Sequence, residues 1–224
     1  MLAYVFWHRP REGTPAEEYE RALETFHRSL DRQPPAGMSA LASYRLSALP
    51  WQASDRSAGG DAPEVPGVGA ATAGLAPPAY EDWYLVADYA SLGVLNEAAA
   101  GRGHRSPHDE VATMAGPGAG AVYALLEGEP GAGALAAAGV AVWVSPPRAP
   151  GVAALAHGPG PAELLGDGMD GAAASLWRRQ LVLGPAPEFC LVAPEPPPGV
   201  REGRLPRGWC AHALAREPLW SLGG

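Results

Sequence analysis

The chain has no lysine. All 16 basic residues are arginines, set against 24 acidic ones, and the formal charge is -8. That balance gives no electrostatic support for binding nucleic acid or an anionic membrane surface. Without lysine no glycine-rich stretch forms a P-loop, and the Gly-x-Gly runs at 116–120 and 131–133 do not join a strand to a capped helix. Cysteine is nearly absent. Cys190 and Cys210 both lie in apolar, strand-like segments, so two free buried thiols are expected rather than a disulfide or a nucleophile. No run approaches the roughly 20 apolar residues that span a bilayer. The opening "MLAYVFWHRP" lacks a basic start followed by a long apolar run, so it does not read as a signal peptide. These absences point to a cytoplasmic protein with no nucleic-acid or membrane partner. A small molecule or another protein subunit remains, and a homodimer is allowed.

What is present is enough apolar material for a core, 47% of 224 residues, with many alanines, 29 glycines and 25 prolines. Alanine, glycine and proline at this level suggest a GC-rich genome more than a special function, which weakens arguments from low complexity.

The first half opens with a strand, "LAYVFWHR", and a helix in "GTPAEEYERALETFHRSLD". Thr14 is placed to cap that helix, Pro15 fits its first position and Glu17 completes a capping box. Tyr19, Leu23, Phe26 and Leu30 recur at helical spacing, so one face packs on a sheet. A strand follows in "MSALASYRLSALPW", then an aperiodic stretch over residues 52–79 that reads as a flexible insertion. "EDWYLVAD" is a strand. "YASLGVLNEAAA" is a helix capped by Asp88, and "SPHDEVATMAG" is a short helix capped by Ser106. "GAVYALLEG" ends the half as a strand, which gives the order β-α-β-β-α-β.

The second half repeats the strand signals. "VAVWVSPPR" resembles "AYVFWHRPR", "WRRQLVLGP" parallels "SYRLSALP", and "PEFCLVAP" parallels "EDWYLVAD". Three matches in one order imply an internal duplication. The helical segments of this half are broken by glycine and proline, and "WCAHALA" is its last strand. The expected fold class is therefore α+β, with two ferredoxin-like β-α-β-β-α-β repeats at 1–130 and 131–224.

On these segments the chain resembles the dimeric α/β-barrel superfamily, which includes antibiotic-biosynthesis monooxygenase-type and EthD-type proteins, muconolactone isomerase and chlorite-dismutase-type haem proteins. The resemblance rests on order and pattern across most of the chain. No catalytic motif of those families matches residue by residue, so no catalytic role is carried over. It implies two antiparallel sheets facing each other as a pseudo-dimeric barrel around a pocket.

Candidate pocket residues follow from strand alternation. Trp7 and Trp143 fall on the faces expected to point inward, and His8 ends the first strand at the expected mouth, where it could act as a general acid or base. Arg45, Arg178, Arg179 and Gln180 are polar groups within apolar strands. A buried arginine there requires a carboxylate or a bound anion, and Glu188, across the "GPAPE" turn, is the competing structural partner. The histidines are too dispersed to suggest a metal. His104 and His108 are separated by Pro107, and no cofactor is implied. The functional expectation is a pocket for a small apolar or aromatic molecule carrying a polar group, with cofactor-independent oxygenase or isomerase chemistry as the enzymatic version. The competing expectation is a non-catalytic interaction module whose interior is filled by its own side chains.

Overall fold

The computed structural model describes residues 1–47, 49–51, 78–101, 104–128, 130–146, 174–183, 186–201 and 209–221. Nearly all of the expected insertion, 52–77, and the glycine- and proline-broken stretch 147–173 lie outside the described residues.

Nine strands form: β1 (Leu2–His8), β2 (Met38–Leu46), β3 (Ala79–Val86), β4 (Ala119–Glu127), β5 (Val140–Ser145), β6 (Ser175–Leu183), β7 (Phe189–Ala193), β8 (Cys210–Ala215) and β9 (Glu217–Ser221). They make one antiparallel sheet in the order β8-β5-β7-β6-β4-β1-β3-β2-β9. Its two edges, β8 and β9, are consecutive in the chain with only Arg216 between them. The sheet is thus rolled into a nearly closed barrel, and Arg216 lies at the seam.

This corrects the expected fold. There are not two ferredoxin-like repeats whose sheets face each other as a pseudo-dimeric α/β barrel. The pairing of β4 with β6, from Gly120 opposite Leu183 to Glu127 opposite Leu176, joins strands of both halves edge to edge. Period-2 alternation identifies which residues share a face, but it carries no information about which edges meet. The internal duplication is corrected with it, because the strands of both halves pair into one continuous sheet, and the described helices are unevenly shared between the halves. The first half carries α1 (Ala16–Arg32), α2 (Tyr89–Ala100) and α3 (Arg105–Met114). Among the described residues the second half has only the six-residue α4 (Ala132–Ala137) and the four-residue α5 (Pro198–Arg201). Similar apolar strands arise wherever one sheet buries one face, which accounts for the matched segments.

Inside the barrel a single cluster takes in Ala3, Val5 and Trp7 of β1, Tyr44 of β2, Trp83 of β3, Tyr123 of β4, Trp143 of β5, Trp177 of β6, Cys190 of β7 and Leu214 of β8. The small residues between the aromatic ones, among them Ala40, Ala42, Ala121 and Ala141, make room for the rings. On the outer face of β1 to β4, α1 and α2 bury Phe26, Leu30 and Leu95 against Leu2, Leu41, Tyr84 and Val122, and α3 adds the partly buried Val111.

Two expected caps are replaced. Pro15, not Thr14, stands at the N-cap of α1 and makes no side-chain bond, while Glu17 and Glu18 lie in the first turn, where the helix dipole favours acidic groups. α3 starts at Arg105 with His104 at its cap, so Ser106 falls inside the helix. Asp88 does cap α2, accepting the Ser91 N–H at 2.8 Å. No helix of the described residues is long and apolar enough to cross a membrane.

Candidate functional site

The barrel interior, where the sequence placed a pocket, is packed with side chains. Trp7, Trp83, Trp143, Trp177, Tyr44 and Tyr123 are all fully buried. Trp143 lies 5.0 Å from Trp7 and 5.9 Å from Trp83 between ring centroids, and Trp83 lies 5.6 Å from Trp177. Some polar atoms of this core bond to each other, and the Tyr44 and Tyr123 hydroxyls donate to backbone carbonyls. Glu81 accepts from Trp7 Nε1 and Trp83 Nε1, each at 2.8 Å, and from Arg216 Nη2. The Arg216 guanidinium also lies over the rings of Tyr44 and Trp83, at 4.4 and 4.9 Å from their centroids. Burial alone lowers the pKa of the Arg216 guanidinium, but Glu81, with Tyr44 and Cys190, outweighs it and holds the group charged.

The open space lies outside the barrel, between the sheet and the helices. A cleft of about 620 Å³ is walled by the outward face of β1 (Tyr4, Phe6, His8), by Asp82 and Tyr84 of β3, and by residues of α1, α2 and α3 that include Tyr19, Phe26, Leu92 and Val111. Two glycines lie behind the Tyr4 and Phe6 rings of its wall. A Cβ on Gly120 would stand 2.9 Å from Tyr4 Oη, and one on Gly118 would stand 2.6 Å from the Phe6 ring, so the bare backbone of this stretch lets the β1 aromatic rings lie against it. Leu181 and Tyr89, both more than half exposed, form apolar parts of the rim.

Among the described residues that line this cleft, Asp82 and His8 are titratable groups buried in its wall. Asp82 is buried on β3, and its Oδ1 accepts from Ser43 Oγ at 2.6 Å. Its Oδ2 faces His8 Nε2 at 3.1 Å, His27 Nε2 at 3.3 Å and the Tyr84 hydroxyl at 3.4 Å. Burial by itself pushes the Asp82 carboxyl up, but His27 and His8 outweigh it and hold the group well below the usual carboxylate range. The other nitrogen of His8, Nδ1, lies 2.7 Å from the Tyr19 hydroxyl. With Nε2–H donated to Asp82, Nδ1 accepts the Tyr19 proton, so the three groups form a chain from tyrosine through histidine to aspartate. Burial first, and then the Asp82 charge, raise the Tyr19 hydroxyl above its ordinary range, which keeps it protonated at neutral pH.

Of the seven residues singled out in the sequence, His8 alone lines this cleft. Trp7 and Trp143 are inside the barrel. Arg45, on the outer face of β2, grips Glu20 through Nε and Nη2 at 2.6 to 2.8 Å and reaches Glu217 on β9. Arg178 and Arg179 both pair with Glu188, at 3.6 and 2.8 Å, where the structural alternative had one of them paired and the other solvated. Gln180 is exposed at a bulge in β6. Cys210 is exposed rather than buried, because β8 is an edge strand, and Cys190 is buried in the barrel. Sequence reasoning missed Asp82, Tyr19, His27, Glu81 and Arg216. The available signal was "YEDWYLV", where two adjacent acids sit in a strand that is otherwise apolar and aromatic.

No family model and no curated protein matches the chain. Among solved structures, a crystal structure of an anthrone oxidase-like protein is 12% identical, with 100% of this chain and 94% of that chain covered and a TM-score of 0.47. A likeness at that level transfers neither fold nor function.

Proposed function

We propose that the cleft between the helices and the outer sheet face binds a small apolar or aromatic molecule with a carbonyl or hydroxyl group, and that Tyr19, His8 and Asp82 move a proton to and from it without a cofactor. The observation that carries the reading is the Tyr19–His8–Asp82 chain in the wall of an otherwise largely apolar cleft of about 620 Å³. In an isomerisation, the Tyr19 oxygen takes a proton from the carbon next to the carbonyl as its own proton passes to His8 Nδ1. The imidazolium is balanced by Asp82, and the enolate is reprotonated at a different carbon by the reverse steps. Protons and charges balance with no outside oxidant or reductant.

A second reading is supported by the filled barrel. In it the protein is a non-catalytic interaction module, and the cleft is only a groove beneath three helices. Exchange of the acidic protons of β-tetralone for deuterium, followed by proton NMR, separates the two. Catalysed exchange that falls by about 100-fold or more in Tyr19→Phe and His8→Gln supports proton transfer. Exchange at the buffer rate, in wild-type protein shown to bind the ketone, supports the module.

A further inference from the structure

Asp82 serves two imidazoles that belong to two different clefts. His8 lines the apolar cleft described above. His27, from α1, lines a second cleft of about 350 Å³ on the polar side of that helix, together with Glu17, Glu20, Glu24, Ser43 and Trp220. Both rings present Nε2 to the same oxygen, Asp82 Oδ2. Both are buried to 1% exposure or less. His27 Nδ1 is a buried nitrogen with no hydrogen-bond partner.

The chemistry of this arrangement is restrictive. One carboxylate neutralises one imidazolium. If both rings are protonated, a buried group carries a net positive charge with nothing to offset it, and if one is protonated the group is neutral. The other charges near His27 do not supply a second counter-ion. On its own helix Glu20 is held by Arg45 and Tyr80, and Glu24 by Arg28. From β2 it meets the Ser43 side, from β3 Asp82 and the Tyr84 hydroxyl at 3.3 Å, and from β9 the Trp220 ring, while Glu217 of that strand is turned to Arg45. Glu17 and Arg21, of opposite sign, complete the cleft wall.

We infer that His8 and His27 share a single positive charge across Asp82, so that a proton arriving on His8 from the apolar cleft expels one from His27 into the second cleft. His27 lines the second cleft, so the proton it gives up leaves on that side, and no proton needs to cross the carboxylate. His27 is then a positioning residue, which sets the charge on the reacting histidine from the far side of α1. The direction of proton flow rests on the proposed function, but the sharing of one charge does not.

Heteronuclear NMR of the imidazole rings over a pH series, on the whole wild-type chain, tests the sharing without any ligand. The inference expects each ring to titrate in two steps with midpoints common to both rings. It also expects His8→Gln to collapse the His27 curve to one step, with the reciprocal result for His8 in His27→Gln. Single, unrelated steps in the wild-type protein overturn the inference even if neither variant folds. A His27 curve that is the same in His8→Gln also overturns it. Failure of β-tetralone exchange with coupled rings sinks the proposed function alone, and exchange with uncoupled rings sinks this inference alone.

Discussion

Glu81 and Asp82 are neighbours on β3 that point to opposite faces of the sheet and organise opposite halves of the molecule. Glu81 enters the barrel and meets Arg216 at the seam, while Asp82 faces the helices and gathers His8, His27, Ser43 and Tyr84. One dipeptide thus supplies the buried anion of the structural core and that of the candidate site. Strand alternation alone brings this about.

The barrel pair is expected to behave as a buried ion pair with both side chains fully enclosed. Arg216→Met alone leaves the Glu81 charge uncompensated and is predicted to cost about 3–5 kcal/mol in urea unfolding. Adding Glu81→Gln to Arg216→Met is predicted to recover most of that loss. A double variant as unstable as the single one would show that the cost comes from packing rather than from charge.

Two tryptophans in contact are expected to differ in how they tolerate loss of the indole N–H. Trp7 donates to Glu81, whereas Trp143 Nε1 has no partner. Trp7→Phe therefore strips a hydrogen bond from a buried carboxylate and should cost about 1–3 kcal/mol more than Trp143→Phe. Truncation of either residue to alanine should cost about 3–5 kcal/mol through the cavity left behind. Equal costs for the two phenylalanine variants, measured by denaturant unfolding, would contradict the assigned hydrogen bonds.

The pH dependence of stability follows from Asp82. Its folded-state pKa is lowered, so its contribution is full above the ordinary carboxylate pKa of about 4 and is lost progressively as pH falls below that value. Asp82→Asn should be markedly less stable than wild type at neutral pH, with the gap narrowing in acid. A gap that stays constant from neutral pH down to about pH 3 would refute the sign.

The surface arginines should be dispensable for the chemistry. Arg178→Ala and Arg179→Ala loosen only the partly exposed pairs with Glu188, each expected to be worth about 1 kcal/mol or less. Isothermal titration with β-tetralone should give wild-type affinity in both variants, and a tenfold loss would return these arginines to the binding site.

Much of the strand content was legible from alternation. The segment "VAVWVS" puts Val142 and Val144 outward and Trp143 inward, and "LAYVFWH" puts Trp7 inward and His8 outward. Closure was not legible, because edge pairing depends on contacts between distant segments. The last strand, β9, has five residues and follows β8 after a single residue, so nothing local separates it from a tail. The candidate site was hidden for the same reason, since His8 and Asp82 are 74 positions apart in the chain. Tyr19 and His27 were read as one apolar stripe residue and one dispersed histidine, and only the docking of α1 on β1 and β3 brings Tyr19 to His8 and His27 to Asp82. The arginines drew attention because charge in a strand is conspicuous, yet a partner across a short turn satisfied them.

The central claim is that the functional cavity lies under the helices and not inside the barrel. Amide chemical-shift mapping of the wild-type protein titrated with β-tetralone tests it most directly. The account predicts saturable shifts confined to the cleft, at Tyr4, Phe6, His8, Tyr19, Asp82 and Val111, with the barrel residues Ala141, Trp177 and Cys190 unmoved. Shifts centred on those barrel residues, or none in the cleft at saturating ketone, would contradict it.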